Sequence, residues 1–136
     1  MNIYTTYGTY GYLNQIRTNN TNRNLFLFST NDSSVIIEES DEKSILKHPT
    51  VYTTVNSIND LDQTHFYSAI FIPSSDDHVH QLEKRIANLE LNFDKFAGFK
   101  SYRFLKPVQG TTYKVYFGSS SQHSSYFERY LYPIKE

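Results

Sequence analysis

The chain has no cysteine, so it can form no disulfide, thiolate metal site, thiol nucleophile or cysteine-held iron–sulfur cluster. It has almost no net charge, −1 over 136 residues with histidine neutral. No overall field therefore draws in nucleic acid or an anionic membrane. Its first residues, MNIYTTYGTYG, lack both the basic end and the apolar run of a signal peptide. No apolar run approaches membrane-spanning length. These absences set the expectation of a soluble, cytoplasmic protein with at most peripheral membrane association. Apolar residues reach only 38%. What takes their place is aromatic: 16% of the chain, 12 Tyr and 10 Phe, whose large buried areas can build a core short of Leu and Val.

The chain is organised around residues 65–118. In the first strand of that stretch Phe66, Ser68, Ile70 and Ile72 share one face, and His65, Tyr67, Ala69 and Phe71 the other. Both faces are largely apolar, as in a strand covered on both sides. Pro73 ends it, and Ser74 with Asp77 has the spacing of a capping box. A helix is predicted through Val79, Leu82, Ile86, Leu89 and Phe93, whose 3-4-3-4 spacing makes one buried stripe. Gly98 stops it. Strands are predicted over Phe99 to Leu105 and Thr111 to Phe117, joined by a turn at Pro107 to Gly110. Tyr113, Val115 and Phe117 share a face of the last strand. Strand, helix and hairpin in that order make three-quarters of a ferredoxin-like βαββαβ unit.

Upstream, Ile3 to Tyr7 reads as a strand, and Tyr12, Leu13 and Ile16 as a weak helical stripe. Leu25 to Ser29 and Ser34 to Glu38 read as a hairpin about Thr30 to Ser33. The acidic run Glu38 to Glu42 is expected to be a solvated turn. Residues 44–55 are ambiguous, with Pro49 favouring an extended start before a strand at Val51 to Val55. Asn59 to Gln63 is the expected joint between a small α+β region, residues 1–62, and a ferredoxin-like domain, residues 63–136. Only Gly118 to Ser124 separates the third strand of that domain from a final one, Ser125 to Ile134. A parallel return within one sheet usually takes a dozen residues or more. The final strand is therefore expected to form a hairpin with Thr111–Phe117, to pair elsewhere, or to be exchanged with another copy.

Five histidines are the candidates for chemistry: His48, His65, His78, His80 and His123. His78 and His80 stand two apart in the first helical turn and point to different faces, which disfavours a shared metal. His78 also sits where exposed backbone N–H groups favour an anion. His123 lies in a Ser-rich loop with no nucleophile elbow or acidic orienter beside it. Lys100, Arg103 and Lys114 among rings suggest an RNA platform, but Gly110 to Phe117 lacks the signature and the rings read as core. No nucleic acid, metal or cofactor is expected.

Four stretches together carry a resemblance: YTTYGTYG at 4–11, HFY with AIFIP at 65–73, GFKSYR at 98–103, and YFERYLYPIKE at 126–136. Over nearly its whole length the chain resembles the staphylococcal TRAP family, the targets of RNAIII-activating protein. The resemblance implies an α+β fold whose C-terminal unit is like an antibiotic-biosynthesis monooxygenase (ABM) domain, a ferredoxin-like unit that pairs into a dimeric α+β barrel. It implies a regulator of signal transduction linked to quorum sensing and virulence, membrane-associated, acting through protein partners and phosphorylated on three histidines. Those fall on His65, His78 and His123; His48 and His80 have no such role. The phosphoryl donor would be another protein, since no nucleotide loop or kinase motif is present. Family members carry a helix before the closing strand that this chain lacks. Haem-degrading relatives place their iron-ligating histidine in that helix, so haem, the alternative reading as a monooxygenase, is not expected.

Overall fold

A computed structural model describes residues 1–120 and 129–134 of the chain. Its strands are β1 (Asn2–Gly8), β2 (Leu25–Ser29), β3 (Ser34–Ser40), β4 (Thr50–Ile58), β5 (Phe66–Pro73), β6 (Phe99–Pro107), β7 (Thr112–Ser119) and β8 (Arg129–Pro133). Its helices are α1 (Tyr10–Asn19) and α2 (Val79–Glu90), with single 3-10 turns at Asp76–His78 and Phe93–Lys95. Thr9 starts α1: its backbone is extended and its hydroxyl accepts the Tyr12 N–H, the usual N-cap arrangement.

The strands close into one barrel in the order β1-β3-β2-β8-β5-β7-β6-β4, and each pairing between neighbours is antiparallel. The order contains one arrangement twice. In β4-β1-β3-β2, and again in β8-β5-β7-β6, the first strand of the unit lies between its fourth and third, the strand order of a ferredoxin-like sheet. Among the described residues each half has one α-helix, after its first strand. The barrel expected from two chains is thus closed by the two halves of one.

Side-chain alternation sorts the apolar residues into three layers. Phe26, Phe28, Val35, Ile37, Tyr52, Tyr67, Ala69, Tyr116 and Leu131 pack together as the barrel core. The opposite faces of the same strands bury Leu27 and Ile36 with Leu13 of α1, and Tyr102, Phe104, Tyr113, Val115 and Phe117 with Ile86 of α2. Tyr113, Val115 and Phe117 do share a face, and β5 is covered on both sides as its sequence implied.

The closing strand pairs with β5 and β2 and so runs parallel to β7 within the sheet, the return that the short connection was expected to exclude. Leu131 lies opposite Tyr67 on β5, and Pro133 opposite Phe28 on β2. It therefore takes the place of the fourth strand of a ferredoxin-like unit. The objection from a short connection fails for a geometric reason. β7 ends opposite Phe66 and β8 begins opposite Ala69, so the return is about 10 Å along the sheet and about 10 Å across it. Nine residues lie between Ser119 and Arg129, and nine can span about 30 Å.

Other expectations are corrected. Glu38 and Glu39 are not in a solvated turn. Glu38 is fully buried and its carboxylate accepts from Arg23 Nε at 2.9 Å, Ser44 Oγ at 2.6 Å and the Ile45 N–H at 3.2 Å. The capping box does not form: α2 starts after a 3-10 turn, without a side-chain cap. It also ends before Phe93, and Leu89, assigned to its buried stripe, is 54% exposed. Residues 59–63, the expected joint, pack against the barrel. Leu61 is in the barrel core, and the Gln63 side-chain amide accepts the Leu27 N–H and donates to the Leu27 carbonyl, acting as a strand partner where β8 no longer reaches β2.

Leu13 and Ile86 anchor the two helices. Leu13→Ala and Ile86→Ala should each lower unfolding stability by about 2–5 kcal/mol, read as a fall in the urea midpoint at unchanged slope.

Candidate functional site at one end of the barrel

Inward-facing residues of β6, β7 and β5 lie in rows set by the strand register: Leu105, Lys114, Phe71; then Arg103, Tyr116, Ala69; then Ser101, Gly118, Tyr67. In the last row the central residue has no side chain. A Cβ at 118 would lie 2.5 Å from Tyr67 Cε1 and 2.6 Å from Ser101 Oγ. Glycine there lets residues from the two outer strands meet across the middle one, and Tyr67 Oη and Ser101 Oγ are 2.7 Å apart.

His65, just before β5, completes the cluster. Its Nδ1 is 3.2 Å from Ser101 Oγ and 3.3 Å from Tyr67 Oη. Tyr67 Oη also accepts the Asp62 N–H at 3.1 Å. The Asp62 carboxylate is held by the N–H and hydroxyl of Thr64, and these bonds lower its pKa. Burial lowers the pKa of His65, against the opposing charge of Asp62, and Lys100 lowers it further. At neutral pH the half-buried imidazole is therefore uncharged. Burial raises the Tyr67 phenol, so it stays protonated.

The next rows hold two buried cations. Arg103 Nε donates to Glu39 Oε2 at 2.8 Å, across the barrel from β6 to β3, while Nη1 donates to the carbonyls of Asn59 and Tyr102. A cleft of about 370 Å³ opens over this pair, lined by Thr54, Asn56, Ser57 and Asp60 among others. Lys114 is 1% exposed. Its Nζ lies 4.6 Å from the Tyr52 ring centroid and 4.8 Å from that of Phe71, and donates to Tyr116 Oη at 3.3 Å. Of the three cations named for an RNA platform, only Lys100 is on the surface.

The histidines are not brought together. His65 precedes β5, while His78 is exposed beyond its other end, roughly 25 Å away along an eight-residue strand. His48 and His80 are exposed, and His123 lies outside the described residues. Among the described residues no group of three His, Asp or Glu could hold a metal ion, and no helix is long and apolar enough to cross a membrane. Tyr67, Ser101 and Gly118 were missed as site residues. Their only signal was strand parity, which needs the register to become informative.

The fold is that of an α+β protein of the ferredoxin-like class, with that strand order in each half of the barrel. A monooxygenase-like protein of Listeria innocua superposes with a TM-score of 0.84 over 99% of this chain and 95% of its own, at 17% identity. A haem-degrading enzyme of Listeria monocytogenes superposes at 0.77 over 98% and 100%, also at 17% identity. No family model matches. The chain is 51% identical to the signal transduction protein TRAP of Staphylococcus aureus (strain bovine RF122) over 98% of each chain. It is 49% identical to that of Staphylococcus epidermidis over 100% of this chain and 99% of the relative. A solved structure described as a major regulator of staphylococcal pathogenesis matches with a TM-score of 0.91 at 46% identity, over 99% of this chain and all of the other. The chain belongs to the TRAP family of signal transduction proteins. The S. aureus alignment runs over 164 positions, so that relative carries residues with no counterpart among these 136.

Two outcomes test the site. Gly118→Ala should separate Tyr67 from Ser101 and destabilise the barrel, seen as a lower melting temperature and an altered His65 ring resonance. Because folding lowers the His65 pKa, the unfolded chain binds the extra proton. Stability should thus be complete above about pH 6.5 and decline as pH falls below it, with a shallower decline in His65→Gln.

Proposed function

We propose that this chain is a non-enzymatic regulatory protein linked to quorum sensing and virulence control, which accepts phosphoryl groups on His65, His78 and His123 from a partner protein. Family membership supports the regulatory role. The observation that carries the chemistry is His65: an uncharged imidazole whose Nδ1 is held by Tyr67 and Ser101, with the positive charge of Lys100 in electrostatic reach. A phosphorylated imidazole gains charge of about −2, and Lys100 would offset part of it. His78 supports the reading through exposure alone.

Homodimerisation and peripheral attachment to the inner face of the membrane belong to the same proposal. A dimer would use side-chain surfaces, because a closed barrel leaves no open strand edge. The residues that relatives carry beyond this chain are proposed to include a crossover helix between β7 and β8.

Haem-degrading activity finds less support. The likeness to haem-degrading structures is one of fold, and rings and aliphatic side chains pack the barrel interior, where the Nδ1 of His65 is already engaged by Tyr67 and Ser101. Incubation with phosphoramidate, a small phosphoryl donor, should give acid-labile phosphohistidine by ³¹P NMR, lost in the triple variant His65→Ala, His78→Ala, His123→Ala. Label surviving that variant would refute these sites. Haemin titration should give no protein-dependent Soret shift; a saturable shift, bleached by reductant and oxygen, would favour the monooxygenase instead.

A further inference from the structure

The cluster around His65 contains a closed inventory of protons. Three links join Tyr67 Oη, Ser101 Oγ and His65 Nδ1, and Tyr67 Oη already accepts the Asp62 N–H. Tyr67 and Ser101 are both buried, so neither hydroxyl can turn to bulk water. If Nδ1 carries no proton, the two hydroxyl protons fill two links: one hydroxyl donates to the other, which donates to Nδ1. If Nδ1 carries a proton, three protons compete for the same links and Nδ1 cannot accept. One hydroxyl proton then has no acceptor, a costly arrangement in a buried site.

We infer that Tyr67 and Ser101 are positioning residues that fix His65 as the neutral tautomer with its lone pair turned inward on Nδ1 and its proton outward on Nε2. This has a consequence for the proposed phosphoryl acceptor, and in that respect it rests on that reading. The outward nitrogen, which has no hydrogen-bond partner among the described residues, is the one a donor can reach, and it lacks the lone pair that must attack. Attack forms the Nε2–P bond and breaks the donor's P–N bond, releasing ammonia when the donor is phosphoramidate. Before it can happen the Nε2 proton must pass to water and another must arrive on Nδ1, which strands a hydroxyl proton. The hydroxyl pair is a latch on the reactivity of His65, open only when Tyr67 and Ser101 separate. Their meeting across Gly118 ties the latch to the register of β5, β6 and β7.

Long-range ¹H–¹⁵N spectra of the uniformly labelled protein above pH 7 test this without any phosphoryl donor. The His65 ring should show an unprotonated Nδ1 and a protonated Nε2 as a single tautomer. In the double variant Tyr67→Phe, Ser101→Ala the two nitrogen shifts should move towards each other as the tautomers mix. A protonated Nδ1 in the unmodified protein would overturn the inference, and that spectrum decides the point even if the double variant does not fold. Phosphoramidate labelling adds a second readout, with exposed His78 as internal reference. His65 should label several-fold faster in the double variant than in the unmodified chain, relative to His78. An equal ratio would overturn the latch. An unprotonated Nδ1 with no labelling of His65 in either protein would support the tautomer assignment and refute the acceptor role.

Discussion

Closure of the barrel within a single chain is the constraint on which the remaining structure depends. Eight antiparallel strands leave no edge, and an edge is where a sheet is exposed to pairing with other chains. Closure depends on β8, which is short: it joins β5 opposite Ala69 to Tyr67 and β2 opposite Phe28 and Ser29. The Gln63 side chain extends the seam by bonding both backbone groups of Leu27. Leu131 then fills the interior beside Phe28 and Tyr67. A side chain from the joint between the halves and a strand from the far end of the chain together complete what neither half holds alone.

A closed interior also decides the state of the polar groups inside it. Arg103 and Glu39 come from different halves and meet in the barrel, where neither can be hydrated as it would be in solution. Their bond ties β6 to β3. The rings of Tyr52 and Phe71 and the Tyr116 phenol lie against Lys114, so cation–π attraction replaces part of its lost hydration. Tyr67 and Ser101 meet only because β7 offers glycine between them. The Arg103–Glu39 and Tyr67–Ser101 contacts both run between strands, so both report whether the register is correct.

Much of this was legible in residue order. Strand alternation in 66–73 and 113–117 and the helical stripe through Val79, Leu82 and Ile86 predicted elements that formed, and the aromatic strings carried the family. Glu38 and Glu39 misled because a charge run reads as solvated unless its partners are known, and Arg23 and Arg103 lie 15 and 64 residues away. The closing strand misled because a length rule for crossovers assumes strands of ordinary length, and β8 makes the return short. The doubled strand order was hidden as well, since the two halves share a topology without a readable repeat.

By itself the sequence determined which segments are strand or helix, which faces of them are apolar, and that rings must supply the core, because these follow from local periodicity and composition. The tertiary structure alone decided which residues face each other: that His65 meets Tyr67 and Ser101 over Gly118, and that in an acidic run read as solvated Glu38 is buried and Glu39 is held by Arg103. Such meetings depend on register between strands dozens of residues apart, and register is fixed by closing the barrel as a whole.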